Sequence, residues 1–136
     1  MTQENKQITD LLALANDTIP LIEALASTMS TVITRMAELE ALGLIYATEY
    51  WRKDSEGQPK YFYLLYPLKQ GEARRRDYIG CDPVRIEAAR QGLVRAREYD
   101  ALKVDLSHLE ERAQRALFSM RDASRYLANK RYSLLG

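Results

Sequence analysis

A chain of 136 residues, 46% of them hydrophobic, can bury one proper core and an appendage. No run approaches the roughly 18 apolar residues of a membrane span, the opening M-T-Q-E-N-K is polar rather than signal-like, and the single cysteine, Cys81, admits no internal disulfide, which fits a reducing cytoplasm. The net charge of +1 makes no argument for nucleic acid by itself, but residues 1–45 carry two basic and six acidic groups, residues 46–80 seven and five, and residues 81–136 eleven and eight, so basic charge near the middle can offset an acidic start.

Residues 1–7 read as a loose arm. Ile8 to Ala15, with Ile8, Leu11, Leu12 and Leu14, predicts a short helix, and Asn16-Asp17-Thr18 predicts a turn. Thr18 then serves as N-cap, with Pro20 in the first turn of a second helix that buries Leu21, Ile22 and Leu25 and stops at Ser27. A third helix is expected from Thr28, as N-cap, to Leu42, with Gly43 ending it in a left-handed turn. Its apolar residues Val32, Met36, Leu39 and Leu42 advance by four, three and three, so one face is buried. The other side begins with Ser30, Thr31, Ile33, Thr34 and Arg35, small and polar enough to approach base edges.

Leu44 to Arg52 reads as a strand, Lys53 to Pro59 as a breaker-rich turn, and Lys60 to Tyr66 as the return strand. Arg52, Lys53, Gln58 and Lys60 lie at or near the tip of this hairpin, where they contact phosphate or simply keep the tip solvated. Lys69-Gln70-Gly71-Glu72 is a second turn. Ala73 to Ile79 is expected as a third strand, with Arg74 and Arg76 on one face and Arg75 on the other. The three arginines suit a phosphate-facing edge or a charged edge that discourages aggregation, and the residues leave both open. Tyr50, Trp51, Tyr61, Tyr63, Tyr66 and Tyr78 are expected in core and sheet packing rather than around a ligand.

Asp82 and Pro83 begin a helix as N-cap and first residue, and nothing breaks it before about Asn129. Leu102, Leu106, Leu109, Ala113, Ala116, Met120, Ala123 and Leu127 advance by 4, 3, 4, 3, 4, 3 and 4, the seven-residue repeat of a coiled coil. The earlier apolar residues Ile86, Ala89, Leu93 and Ala96 do not continue this register. A bend is therefore expected near Tyr99 to Ala101, or a fresh helix at the capping box Ser107-His108-Leu109-Glu110. A continuous helix of this length would reach about 70 Å. Such a seam needs a partner helix, supplied by a second copy in a homodimer or by a fold-back near residue 100.

The run from Thr31 to Ile45 fits T-V-x-x-x-L-x-x-L-E-x-x-G-L-I, with Thr31, Val32, Met36, Leu39, Glu40, Gly43, Leu44 and Ile45 on its marked positions. This stretch resembles the recognition helix of winged helix-turn-helix DNA-binding regulators of the MarR, ArsR and PadR kind, over Ile8 to Pro67. The resemblance implies a winged helix-turn-helix head over residues 1–80, and the heptads add a helical coiled-coil region over 81–136 that is expected to make a homodimer; together they give a mainly α fold with a small antiparallel β-sheet (α+β). The resemblance also implies a dimeric, sequence-specific protein of double-stranded DNA, a bacterial, plasmid or phage transcriptional regulator in the cytoplasm, associated with the nucleoid. Ser30, Thr31, Thr34 and Arg35 would read bases, Arg52, Lys53 and Lys60 would hold phosphates, and Arg74, Arg75 and Arg76 would add a secondary contact. A protein-assembly module, favoured by the acidic first 45 residues, and a non-specific DNA binder of plasmid segregation or nucleoid organisation are the alternatives.

Parts for catalysis are missing. His108 has no second ligand at metal spacing, Cys81 has no histidine partner, and Glu38 and Glu40 point to different sides of one helix. No Gly-rich phosphate loop, G-x-S-x-G or H-E-x-x-H occurs. The expectation is a non-enzyme without metal or cofactor; the sequence leaves any small-molecule effector open.

Overall fold

The computed structural model describes residues 5–130; the first four residues of the expected loose arm and those beyond Lys130 lie outside the described residues. The order of elements is α1 (Lys6–Leu42), β1 (Thr48–Lys53), β2 (Pro59–Leu65), β3 (Arg76–Gly80) and α2 (Pro83–Leu127). The chain is thus mainly helical with a small antiparallel sheet in the order β1-β2-β3.

The first departure from expectation is α1. In place of three helices separated at residues 16–18 and 27–28, one helix runs from Lys6 to Leu42. Asn5 begins it, its side chain accepting from the Gln7 N–H at 2.9 Å. The residues read as caps do something else. The Thr18 hydroxyl donates to the Leu14 carbonyl at 2.6 Å, and Thr28 donates to Ala24 at 3.0 Å. Each therefore bonds back onto the preceding turn of its own helix instead of opening a new one. Pro20 lies inside the helix, where it withholds one N–H from the ladder. The half-buried positions Leu25, Met29, Val32 and Met36 and the buried Leu39 keep steps of four and three straight through the expected break. The expected end holds: Gly43 has φ 103° and its N–H donates to the Leu39 carbonyl at 3.1 Å.

The strands are shorter than the sequence suggests. Leu44 to Ala47 belongs to no strand, and β1 starts at Thr48. The turn after Lys53 is closed by the Asp54 carboxylate, which accepts from the Glu56 and Gln58 N–H groups at 2.9 Å each. β3 contains only the last of the three arginines. Arg74 and Arg75 precede it, so the expected alternation of the three along one strand does not arise.

α2 is also unbroken. No interruption falls at residues 99–101 and no fresh helix starts at Ser107: the helix runs from Pro83 to Leu127. Asp82 caps it, accepting from the Val84 N–H at 3.1 Å. Asn129 (φ 57°) ends it, with the Lys130 N–H reaching back to the Arg125 carbonyl at 2.9 Å.

The chain divides into two compact units: Arg35–Lys103, and Met1–Thr34 together with Val104–Gly136. In Arg35–Lys103, one turn of α2 after another covers one face of the sheet. Phe62, Leu64, Ala89 and Leu93 are buried together, with Ile45, Ala47, Trp51, Tyr66, Ile79 and Ile86 packed around them. Removing the Phe62 and Leu64 side chains from water is worth about 1.5–3 kcal/mol each. The chain leaving α1 runs against α2 in the opposite direction. Arg35 meets Glu98, the Gly43 carbonyl accepts from Arg95 Nε at 2.7 Å, and the Ile45 N–H donates to the Gly92 carbonyl at 3.1 Å. Gly92 is there for space, because a Cβ at that position would lie 2.6 Å from Ile45 Cγ1.

The elements of the other unit, among the described residues, are parts of α1 and α2. Leu109 retains 8% of its exposure, and Leu25, Met29, Val32, Leu106 and Ala113 are half-buried. Of the eight α2 seam residues, Leu102, Leu106, Leu109 and Ala113 are therefore at least half-covered within one chain, while Ala116, Met120, Ala123 and Leu127 are all exposed. Among the described residues, no helix is long and apolar enough to cross a membrane.

Candidate nucleic-acid interface

The antiparallel register sorts the strand residues onto two faces. Trp51 opposes Phe62 and Glu49 opposes Leu64, so these share the side covered by α2. Tyr50 opposes Tyr63, Arg52 opposes Tyr61, and Tyr63 in turn opposes Tyr78 while Leu65 opposes Arg76. Thr48, Tyr50, Arg52, Tyr61, Tyr63, Leu65, Arg76 and Tyr78 thus form the opposite face, with no helix over it in Arg35–Lys103.

Three tyrosines cross this open face, one from each strand. The Tyr50 and Tyr63 rings meet edge to face with centroids 6.0 Å apart, and Tyr63 and Tyr78 lie tilted at 5.0 Å. Tyr50 and Tyr78 keep 42% and 54% of their exposure, leaving their surfaces available to another molecule. Arg52 and Arg76 flank the row on opposite edges of the sheet and are exposed.

Charge is segregated between the faces. The only acidic residues within the strands, Glu49 and Asp77, point to the covered side. Arg90 of α2 holds Glu49 with a 2.9 Å contact and lies 5.7 Å from the Trp51 ring centroid. Arg75 holds Asp77 at 3.1 Å and stacks over Tyr66 at 4.3 Å. Both guanidinium pKa values are raised, first by the hydrogen bond to the carboxylate and then by its charge. Burial chiefly, and the Asp77 charge next, raise that of the Tyr66 phenol. No strand carboxylate is left on the open face to repel an anion.

The residues singled out in the sequence fall into three sets. Arg52 and Arg76 stand on the open face, and Lys53 and Lys60 border a shallow depression at the β1–β2 turn with Asp54 and Glu56. Arg74 and Arg75 are used internally: Arg74 Nε donates to the Tyr66 carbonyl at 3.1 Å, and Arg75 belongs to the Asp77 pair. Ser30, Thr31 and Thr34 are exposed on α1, with the Thr31 hydroxyl donating to the Ser27 carbonyl at 3.0 Å. Arg35 is engaged at both ends of its fork, to Glu98 at 2.6 and 3.1 Å and to Glu38 at 3.3 Å. Its pKa is raised chiefly by the Glu98 hydrogen bond, and that of Glu98 is lowered by the same bond.

The sequence places Tyr50, Tyr63 and Tyr78 in packing and does not reveal the open face. The signal is the alternation of Tyr61 and Tyr63 with Phe62 and Leu64, which separates wet from dry only once the register is known. Among the described residues, no group of three His, Cys, Asp or Glu side chains could hold a metal ion. Compared with known proteins, the chain matches no family model, no curated protein and no solved structure.

Proposed function

We propose that the chain is a DNA-binding protein whose contact surface is the open face of the sheet. The observation that carries this reading is the segregation of charge: tyrosines with Arg52 and Arg76 on one face, carboxylates turned to the other and neutralised there. Arginine and tyrosine side chains bind phosphate oxygens and base edges, and sheets as well as helices enter grooves. A major groove roughly 12 Å wide admits a two-stranded β-ribbon, which β1 and β2 with Tyr50, Arg52, Tyr61 and Tyr63 would supply.

The winged helix-turn-helix reading would place the contact on Ser30, Thr31, Thr34 and Arg35. Two features weigh against that version: the unbroken α1, and the commitment of Arg35 to Glu98. The hairpin of β1 and β2 remains as a wing-like element, and with it Arg52, Lys53 and Lys60 as phosphate contacts. On this reading its role is that of a transcriptional regulator. A second reading, a protein-assembly module, draws on the net charge of −4 over residues 1–45.

The test is anisotropy of a labelled random-sequence duplex against salt. The expected result is salt-sensitive association at low ionic strength. Arg52→Ala with Arg76→Ala should lower the log–log salt slope by about 0.9 for each phosphate that is no longer neutralised. Tyr63→Ala should weaken binding, while Arg35→Ala should leave it unchanged. Absence of association at low salt favours the assembly module; an Arg35→Ala protein that alone loses binding restores the helix as the reader.

A further inference from the structure

We propose that the helical unit binds a second copy of this chain through an apolar face of α1 distinct from the one it already uses, so that two helix pairs close into a four-helix bundle. The observation is a helix with two apolar stripes. Leu25, Met29 and Val32 form the stripe covered within the chain. Ile8, Leu12, Ile19 and Ile33 form another, and remain 53%, 63%, 56% and 51% exposed. At 100° per residue the two stripes are centred roughly 100° apart around the axis. A helix with one neighbour needs one stripe. A helix at the corner of a four-helix bundle has two neighbours, in directions about a right angle apart, and needs two.

The area fits the same occupant. Within the unit, α1 leaves eight large apolar side chains at 42–69% exposure. Four of them, Ile8, Leu12, Ile19 and Ile33, lie on this stripe, and at roughly 80 Å² apiece they show water on the order of 300 Å². Met120 and Leu127 of α2, 48% and 70% exposed, add to it. Together they offer on the order of 500 Å² per partner, the size of a weak, concentration-dependent interface. Charge agrees: from Lys6 to Thr34 the chain carries one basic and three acidic residues, and from Val104 to Lys130 five basic and four acidic. The α1 of one copy is therefore complementary to the α2 of the other.

The surface is not the α2 seam that the heptads suggest, since the first half of that seam is already at least half-covered within one chain. The experiment is sedimentation equilibrium of the full chain at about 10–100 μM. The expected mass is twice 15.7 kDa. Leu12→Glu with Ile19→Glu should halve it while far-UV dichroism keeps the helix signal; should that variant unfold, Leu12→Ser with Ile19→Ser gives the same readout more gently. A wild-type chain that stays at 15.7 kDa across the range overturns the proposal. So do folded variants that remain dimeric. A monomer that binds a hydrophobic dye only after removal of residues 131–136 assigns the face to the chain's own tail and likewise overturns it. None of these outcomes touches the DNA-binding reading, which rests on the sheet.

Discussion

Gly92 shows how one missing side chain sets a helix against a strand entry. Replacing a helical glycine by alanine is ordinarily stabilising by about 0.5–1 kcal/mol. Here the added methyl would meet the Ile45 side chain, and overpacking of this kind costs about 1–3 kcal/mol. Gly92→Ala should therefore lower the urea midpoint, with the m-value unchanged; a raised midpoint would mean that Ile45 gives way freely. Arg35 and Glu98 make a second case. The Glu98 pKa is depressed in the folded chain, so its contribution to stability is complete above the unfolded glutamate range and is lost as pH falls through the folded value. Glu98→Gln should flatten the stability profile on the acid side, between the unfolded glutamate range and the depressed value below it, and leave the neutral-to-basic slope alone. Both groups are solvent-exposed, so the change is small, read best as a difference in melting temperature between mild and strong acid.

At the level of elements, the ends of helices and the breaks around strands are legible in the sequence, and the continuity of α1 is not. Gly43, Asp82 and Pro83 act as their chemistry suggests, because a left-handed glycine and an acidic cap have few other uses. Thr18, Thr28 and Pro20 are ambiguous. A threonine hydroxyl either opens a helix or bonds back to the carbonyl four residues earlier, and proline is welcome in a first turn yet tolerated in an interior at a cost of about 3 kcal/mol. The decisive signal is the run of apolar steps from Leu25 to Leu39, which passes the supposed break without changing phase. Pro20→Ala separates the alternatives. In one long helix it should raise stability by about 1–3 kcal/mol; were Pro20 the first residue of a separate helix, the change would be neutral or unfavourable. The open sheet face is hidden for a different reason. K-Y-F-Y-L-L-Y is apolar or aromatic on both sides, so no sequence periodicity marks which tyrosines are wet.

For the molecule as a whole, burial is uneven. Phe62 and Leu39 are fully buried, whereas Ile8, Leu12 and Leu127 keep more than half of their surface. Amide exchange should follow that contrast: slowest around Phe62 and Leu64 and through Ala89 to Ala96, fastest at the start of α1 and the end of α2. Uniform protection along both helices at low concentration would contradict it. If a second copy covers α1, raising the concentration should slow exchange in the helical unit and leave the sheet amides as they were.

The two units also differ in how the chain composes them. Arg35–Lys103 is one unbroken stretch, whereas the other unit joins the first 34 residues to the last 33. A ribosome therefore delivers everything the sheet requires before it delivers the second half of the helical unit. Through that interval the greasy start of α1 has been made and has nothing of its own to lie against. That interval invites premature clumping of nascent chains, which an early-binding chaperone would relieve and a pause in translation before the second half of α2 would worsen.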